Sequence, residues 1–178
     1  MNAGQRRVSG VADALREGEA AVHTGVPLDL SDAQVINVPG VVADSPCFLP
    51  DANLCPFEKF GDVLVAPPAT ASAGDRVVST FRGAHPRNDP RLGEGFVEVE
   101  REVGGAWTIV ARDWDPETRF RWRRTGGALS PMSEVDVEWL IPGSAAPGTY
   151  RLVYRGNARS LLAVISPIAG FSPSFEVK

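Results

Sequence analysis

Few side chains in this sequence can break bonds or hold a metal, and they are scattered. The 178 residues include two histidines, His23 and His85, and two cysteines, Cys47 and Cys55. A structural zinc site takes four Cys or His ligands at tight spacing, and a catalytic one takes three protein ligands. Here the histidines lie far apart and the cysteines are not a C-x-x-C pair, so no zinc site built wholly from this chain is expected. Cys47 and Cys55 can close a short disulfide, adding about 2–3 kcal/mol, or remain two buried thiols; both readings stay open. Asp113-Trp114-Asp115 sets two carboxylates around an indole. Calcium would need several more oxygen ligands. A glycosidase pair must flank its sugar from both sides, which two acids on one loop cannot do. The reading kept is a turn with Trp114 as a core or interface anchor. Gly83-Ala84-His85-Pro86-Arg87-Asn88-Asp89 joins a histidine to an arginine and an acid. Acid–base work is one reading, and a polar loop held by its own hydrogen bonds is the favoured one. His85 precedes a proline and is biased toward extended backbone. No serine sits in a G-x-S-x-G elbow. Gly93-Glu94-Gly95 and Gly104-Gly105 are isolated turns, not phosphate loops.

The elements that must carry these residues are short. Val8, Val11, Ala12 and Leu15 recur at helical spacing, which predicts one short helix over 8–20 with Ser9 as cap and Gly18 as stop. Its stripe is narrow, so it needs a surface to lie on. From 25 to 60 the prolines Pro27, Pro39, Pro46, Pro50 and Pro56 predict an extended strap, in which 34–38 can add an edge strand. After residue 61 the pattern turns to period two. Val77 and Phe81, Val97 and Val99, Trp107 to Ala111, Phe120 and Trp122, Val135 to Trp139, and Tyr150 to Tyr154 mark six strands. Leu162 with Val164 and Phe175 with Val177 mark two more, with Gly- and Pro-bearing turns between. Short alternating strands without intervening helices predict an antiparallel sandwich of immunoglobulin-like size.

One pairing follows from charge. Arg119, Arg121 and Arg123 share one face of their strand, and Glu134, Asp136 and Glu138 share one face of the next. Paired as neighbours they form a solvent-side ladder, with Phe120, Trp122, Val137 and Trp139 turned to the core. An arginine row binding anionic lipid or sulfated sugar is the functional alternative. The ladder is favoured because the acidic partners lie in the adjacent strand.

Composition sets the outer limits. Hydrophobic residues make up 43% and charged residues 22%, as in folded domains. With 18 basic and 22 acidic residues the net charge is -4, which gives no electrostatic footprint for nucleic acid. No apolar run reaches the roughly 18 residues that span a bilayer. The opening MNAGQRRVSG lacks an apolar stretch behind its charges and does not read as a secretory signal.

Several segments, in order, carry a resemblance. They are Phe60-Gly61-Asp62-Val63, the loop from Gly83 to Asp89, Phe96-Val97-Glu98-Val99, and Asp113 to Trp122. Val137-Glu138-Trp139-Leu140-Ile141-Pro142 and Pro147-Gly148-Thr149-Tyr150-Arg151-Leu152 follow. Together these resemble the C-terminal domain of the neutral (neutral/alkaline, non-lysosomal) ceramidases, over most of 58–178. Leu28-Asp29-Leu30-Ser31 and Pro39-Gly40-Val41-Val42 resemble the strap joining that domain to the catalytic one. The segment from Cys47 to Glu58 departs from the family, whose strap is shorter and lacks the cysteine pair.

The resemblance implies an all-β, immunoglobulin-like antiparallel sandwich at 61–178, a Pro-rich strap at 31–60, and a short helix and tail at 1–30 that end or replace the catalytic domain. It implies a family that hydrolyses the N-acyl amide of ceramide with a zinc-dependent catalytic domain. No position here matches the catalytic serine or the zinc ligands, so the chain alone is expected to be non-catalytic and to carry no cofactor. Its expected role is to support a catalytic domain supplied in cis or in trans. His85, Arg87, Asn88, Asp89, Asp113 and Trp114 are the expected interdomain contact. A free module binding membrane lipid or glycan is the alternative. An orphaned interface can also drive homo-oligomerisation. The family is mostly secreted or at the membrane surface, and the compartment of this chain is left open.

Overall fold

The computed structural model describes residues 41–43, 57–86, 94–125, 132–160 and 162–178. Eleven strands occur in these residues: β1 (Val41–Ala43), β2 (Val63–Val65), β3 (Thr70–Ala71), β4 (Arg76–Gly83), β5 (Val97–Val103), β6 (Ala106–Arg112), β7 (Thr118–Arg124), β8 (Ser133–Leu140), β9 (Gly148–Arg159), β10 (Ile165–Phe171) and β11 (Phe175–Val177). One sheet has the order β1-β7-β8-β4-β2 and the other β3-β11-β9-β5-β6, with β10 also paired to β9. All pairs are antiparallel except β1 on β7 and β3 on β11.

This is the expected all-β sandwich, and its strand order follows the immunoglobulin pattern. That pattern places strands A-B-E-D in one sheet and C-F-G in the other. Here β2-β4-β8-β7 occupies the first set, and β5-β9 with β10 and β11 the second. A tyrosine corner goes with it. The Tyr150 hydroxyl, near the start of β9, donates to the Ala146 carbonyl four residues upstream at 2.6 Å.

Alternation explains why these segments are strands. In β7, Thr118, Phe120 and Trp122 are buried while the arginines between them reach solvent. In β8, Val135, Val137 and Trp139 turn inward. Phe120 pairs with Val137 and Trp122 with Val135, as the charge argument requires. On the outer face Arg121 meets Glu138 at 2.8 Å, and Arg123 bridges Glu134 at 2.8 Å and Asp136. Arg123 loses solvation on partial burial, yet the hydrogen bonds and charges of Asp136 and Glu134 outweigh this and hold it above its ordinary range. Partly exposed pairs of this kind contribute about 0.2–1 kcal/mol each. The larger stabilisation comes from the interior, where each buried Phe, Leu or Val contributes about 1.5–3 kcal/mol. Phe81, Phe96, Phe120, Tyr154 and Phe175 are at most 1% exposed.

The edge of the sandwich closes by a backbone contact. Gly61 has φ +93°, and a Cβ there would overlap the Ala169 carbonyl of β10. Its N–H donates to Arg82 O at 2.8 Å, and the Arg82 N–H donates to Asp62 O at 2.8 Å. Nearby, Arg82 is 5% exposed and its guanidinium Nε donates to the Glu58 carboxylate at 2.9 Å. So Glu58 is bound to β4 by a charge-assisted bond, and the sheets approach at glycine.

Several expectations need adjustment. Leu162 and Val164 do not form a strand. They lie in a turn closed by the bond from the Ala163 N–H to Ser160 O, with Leu162 87% exposed, and β10 starts only at Ile165. Strands β2 and β3 were not anticipated, being two or three residues long and separated by Ala66-Pro67-Pro68. A short strand not expected from the sequence, Val41–Ala43, pairs with β7. Residues 34–38, the helix over 8–20, His23 and both cysteines lie outside the described residues.

Two outcomes follow. Gly61→Ala is expected to lower unfolding free energy by about 2–4 kcal/mol, from a left-handed Cβ penalty plus the overlap with β10; guanidinium denaturation reads this as a lower midpoint. Burial pushes the Tyr150 phenol above its ordinary 10.0, against a smaller opposing pull from the Arg101 charge. Below that pH both folded and unfolded chains keep the proton. Above it the unfolded chain loses the proton first, so stability falls as pH rises. Denaturation midpoints taken between about pH 9 and 11 should therefore decline less steeply in Tyr150→Phe than in the parent.

Candidate interdomain surface

Of the residues singled out in the sequence, His85 lies just past the end of β4, level with the end of β7, and the Asp113-Trp114-Asp115 turn leads from the end of β6 to the start of β7. Tyr154 of β9 ties the end of β4 in place, since its hydroxyl accepts the Ala84 N–H at 3.1 Å. His85 follows directly and is 1% exposed. Its imidazole stands edge-on to the Trp122 indole with centroids 4.1 Å apart, and the Arg124 guanidinium lies 5.4 Å from the same indole. His85 thus packs over the end of the core and presents little surface of its own. Arg87, Asn88 and Asp89 lie outside the described residues.

The Asp113-Trp114-Asp115 turn divides its work. Asp113 is 1% exposed, and its carboxylate accepts the Phe96 N–H at 2.6 Å. Gly95, at φ +73°, leaves the room this requires, since a Cβ there would overlap that carboxylate. The Asp115 carboxylate accepts the Arg112 N–H at 2.7 Å. The Thr118 hydroxyl donates to Arg112 O at 2.5 Å and closes the turn. Each carboxylate therefore serves a different backbone amide, and the two do not converge on a shared ligand. Trp114 is turned outward and 48% exposed, with the Arg112 guanidinium 5.2 Å from its ring centroid. Of the two readings, this exposure contradicts the core one. Among the described residues no three His, Cys, Asp or Glu side chains group as metal ligands. The described residues therefore offer no ligand set for the zinc of the resembled family.

A cavity of about 350 Å³ borders this turn, lined by Ala111, Asp115 and Glu117 together with Arg101, Trp139 and Tyr150 among others. Its polar and apolar groups are mixed.

A further group escaped the sequence reading. On the outer face of the second sheet, Arg151 lies 4.1 Å from the Trp107 ring centroid and 4.6 Å from that of Phe171. The sequence puts Trp107 in an alternating strand without fixing its face, because period two does not say which side is the core. The signal was available in Arg151 and Arg155, which share one face of β9 with Val153 and so mark its outer side, where Glu100 stands opposite Arg151 and Glu98 opposite Val153.

Comparison with known proteins fits this architecture to a family. Residues 8–177 match the family model for the C-terminal region of neutral/alkaline non-lysosomal ceramidases. The chain belongs to the neutral/alkaline ceramidase family. It is 38% identical over 119 residues to the neutral ceramidase of Mycobacterium tuberculosis, covering 67% of this chain and 18% of that protein. It is 37% identical over 172 residues to the neutral ceramidase of Pseudomonas aeruginosa, covering 94% and 24%. The crystal structure of the Pseudomonas aeruginosa ceramidase superposes with a TM-score of 0.67 at 34% identity, covering 72% of this chain and 20% of that one. The chain thus spans no more than about a quarter of these relatives' length, and what it represents is their C-terminal domain.

Asp113→Ala should leave the Phe96 N–H without its carboxylate and cost about 1–3 kcal/mol. The melting temperature reports the loss.

Proposed function

We propose that this chain is the accessory domain of a neutral ceramidase. It buttresses a zinc-dependent catalytic portion that hydrolyses the N-acyl amide of ceramide to sphingosine and a fatty acid, and that portion is supplied by other sequence in cis or in trans. The observation that carries this reading is the match itself. The chain aligns from 8 to 177 with the C-terminal part of the family and accounts for 18% and 24% of two named ceramidases. The packing is consistent with a supporting role. His85, Asp113 and Asp115 hold backbone and core in place, and only Trp114 of the described contact residues offers a large exposed surface. In this reading the 85–89 loop and Trp114 form one contact with the catalytic portion, with Trp114 as its anchor. Exposed aromatic anchors beside arginine are typical of interfaces.

A chimera tests it. The Pseudomonas aeruginosa ceramidase without its matching C-terminal part should lose at least about tenfold in ceramide hydrolysis, and the same protein carrying this chain in that place should regain most of it. A deletion that costs nothing, or a chimera as inactive as the deletion, contradicts the proposal.

A further inference from the structure

The outer faces of the two sheets differ sharply. That of the β1-β7-β8-β4-β2 sheet is covered by ion pairs: Arg76 and Arg121 on Glu138, and Arg123 on Glu134 and Asp136. It is built to face water. The outer face of the second sheet has a different composition. Register places Ile165, Pro167, Ala169 and Phe171 of β10 on one side, level with Arg159, Asn157, Arg155 and Val153 of β9. All four β10 residues are exposed, Ile165 at 47% and Phe171 at 44%. Their neighbour Ile168 turns inward to the core. Across the sheet, Trp107 and Ile109 of the edge strand β6 stand opposite Glu102 and Glu100 of β5.

Between these apolar flanks runs a rigid ridge. The Arg151 Nε donates to Glu100 at 2.5 Å, and the Arg155 Nε donates to Glu98 at 2.9 Å. Glu98 and Glu100 are only 8% and 6% exposed although they lie on the outer side. Arg151 is held between the Trp107 and Phe171 rings, and Arg155 lies 5.3 Å from Phe171. Each guanidinium gives only its Nε to these pairs, and among the described residues the remaining N–H groups of both have no partner. A stack of Trp, Arg and Phe, fixed before any partner arrives, is the composition of an interface centre. Preset side chains lose little entropy on binding.

We infer that this face, centred on Arg151, Trp107 and Phe171, is the principal docking surface for the rest of the ceramidase polypeptide. The inference rests on the accessory-domain reading and goes beyond it, since it names a sheet face in addition to the loop end. The occupant follows from length: the relatives carry this domain as 18–24% of a longer chain, so most of their polypeptide lies outside it. The ion-paired opposite face gives that polypeptide little apolar surface to cover. The matching surface is apolar opposite β10 and β6, with carbonyl or carboxylate oxygens opposite the two arginines.

The test uses the chimera described above, alongside the chain on its own. Hydroxyl-radical labelling of Trp107 and Phe171 should be at least about fivefold slower in the chimera than in the isolated chain, because an interface centre excludes water. Phe171→Asp, on a side chain already exposed, should leave the isolated chain's melting temperature within about 2 °C, as surface changes do. In the chimera it should restore labelling at Trp107 and lower ceramide hydrolysis. A chimera that hydrolyses ceramide while both aromatics label as fast as in the isolated chain overturns the docking face and leaves the accessory role standing. A chimera without activity overturns both. Protection of Trp107 and Phe171 in the isolated chain by vesicles of equal phosphatidylcholine and phosphatidylserine, without protection in the chimera, assigns the face to a membrane and overturns the inference.

Discussion

Tyr154 stands where the two sheets meet, and the sandwich depends on what it joins. Its ring lies 5.9 Å from both Phe81 of β4 and Phe120 of β7, so one side chain of the second sheet packs on two strands of the first. Its hydroxyl accepts the Ala84 amide, which satisfies a buried backbone donor just past β4. Phe96 completes the layer, 5.0 Å from Phe120. The contact fixes the spacing of the sheets at one end, and the loops that leave this end start from fixed points. His85 folds back onto Trp122, and Asp113 holds the start of β5 through Phe96. Buried aromatic pairs add about 0.5–1.5 kcal/mol beyond the area they bury. The hydroxyl bond adds direction, since an unpaired buried amide would cost more than a paired one gains.

Much of this was legible because period-two alternation survives wherever one face is buried. The β7–β8 pairing could be read from the sequence, since a slip of one residue would move Phe120 and Trp122 to solvent and set the arginines in the core. The acidic row on β8 then selected the partner. Legibility failed where strands were too short to show a period. Val63–Val65 and Thr70–Ala71 are held by pairing with β4 and β11, long-range contacts that local pattern does not encode. It also failed at β10, where Pro167, Gly170 and a mixture of small residues hid a seven-residue strand behind the more apolar Leu162 and Val164.

Of the candidate contact residues, His85, Asp113 and Trp114 were legible as loop residues but not by role. Sequence placed His85, Asp113 and Trp114 together in kind. It did not say that the first two would be buried and the third exposed, because burial depends on which sheet edge the loops cross. The ridge of Arg151 and Arg155 was missed for a related reason. A strand with alternating arginines reads as a solvated face, and its flanking aromatics come from β6 and β10, distant in sequence. What results is a domain with one water-facing ladder, one preset apolar and cationic face, and one loop end bearing an exposed tryptophan.

The function proposed for this domain is support, with bond-breaking left to the remainder of a ceramidase. The direct measurement is ceramide turnover by the purified chain alone, with zinc and a short-chain ceramide, beside a complete neutral ceramidase at equal concentration. The account predicts sphingosine release from the complete enzyme and none above background from this chain. Sustained release that follows this chain through successive purification steps would contradict it.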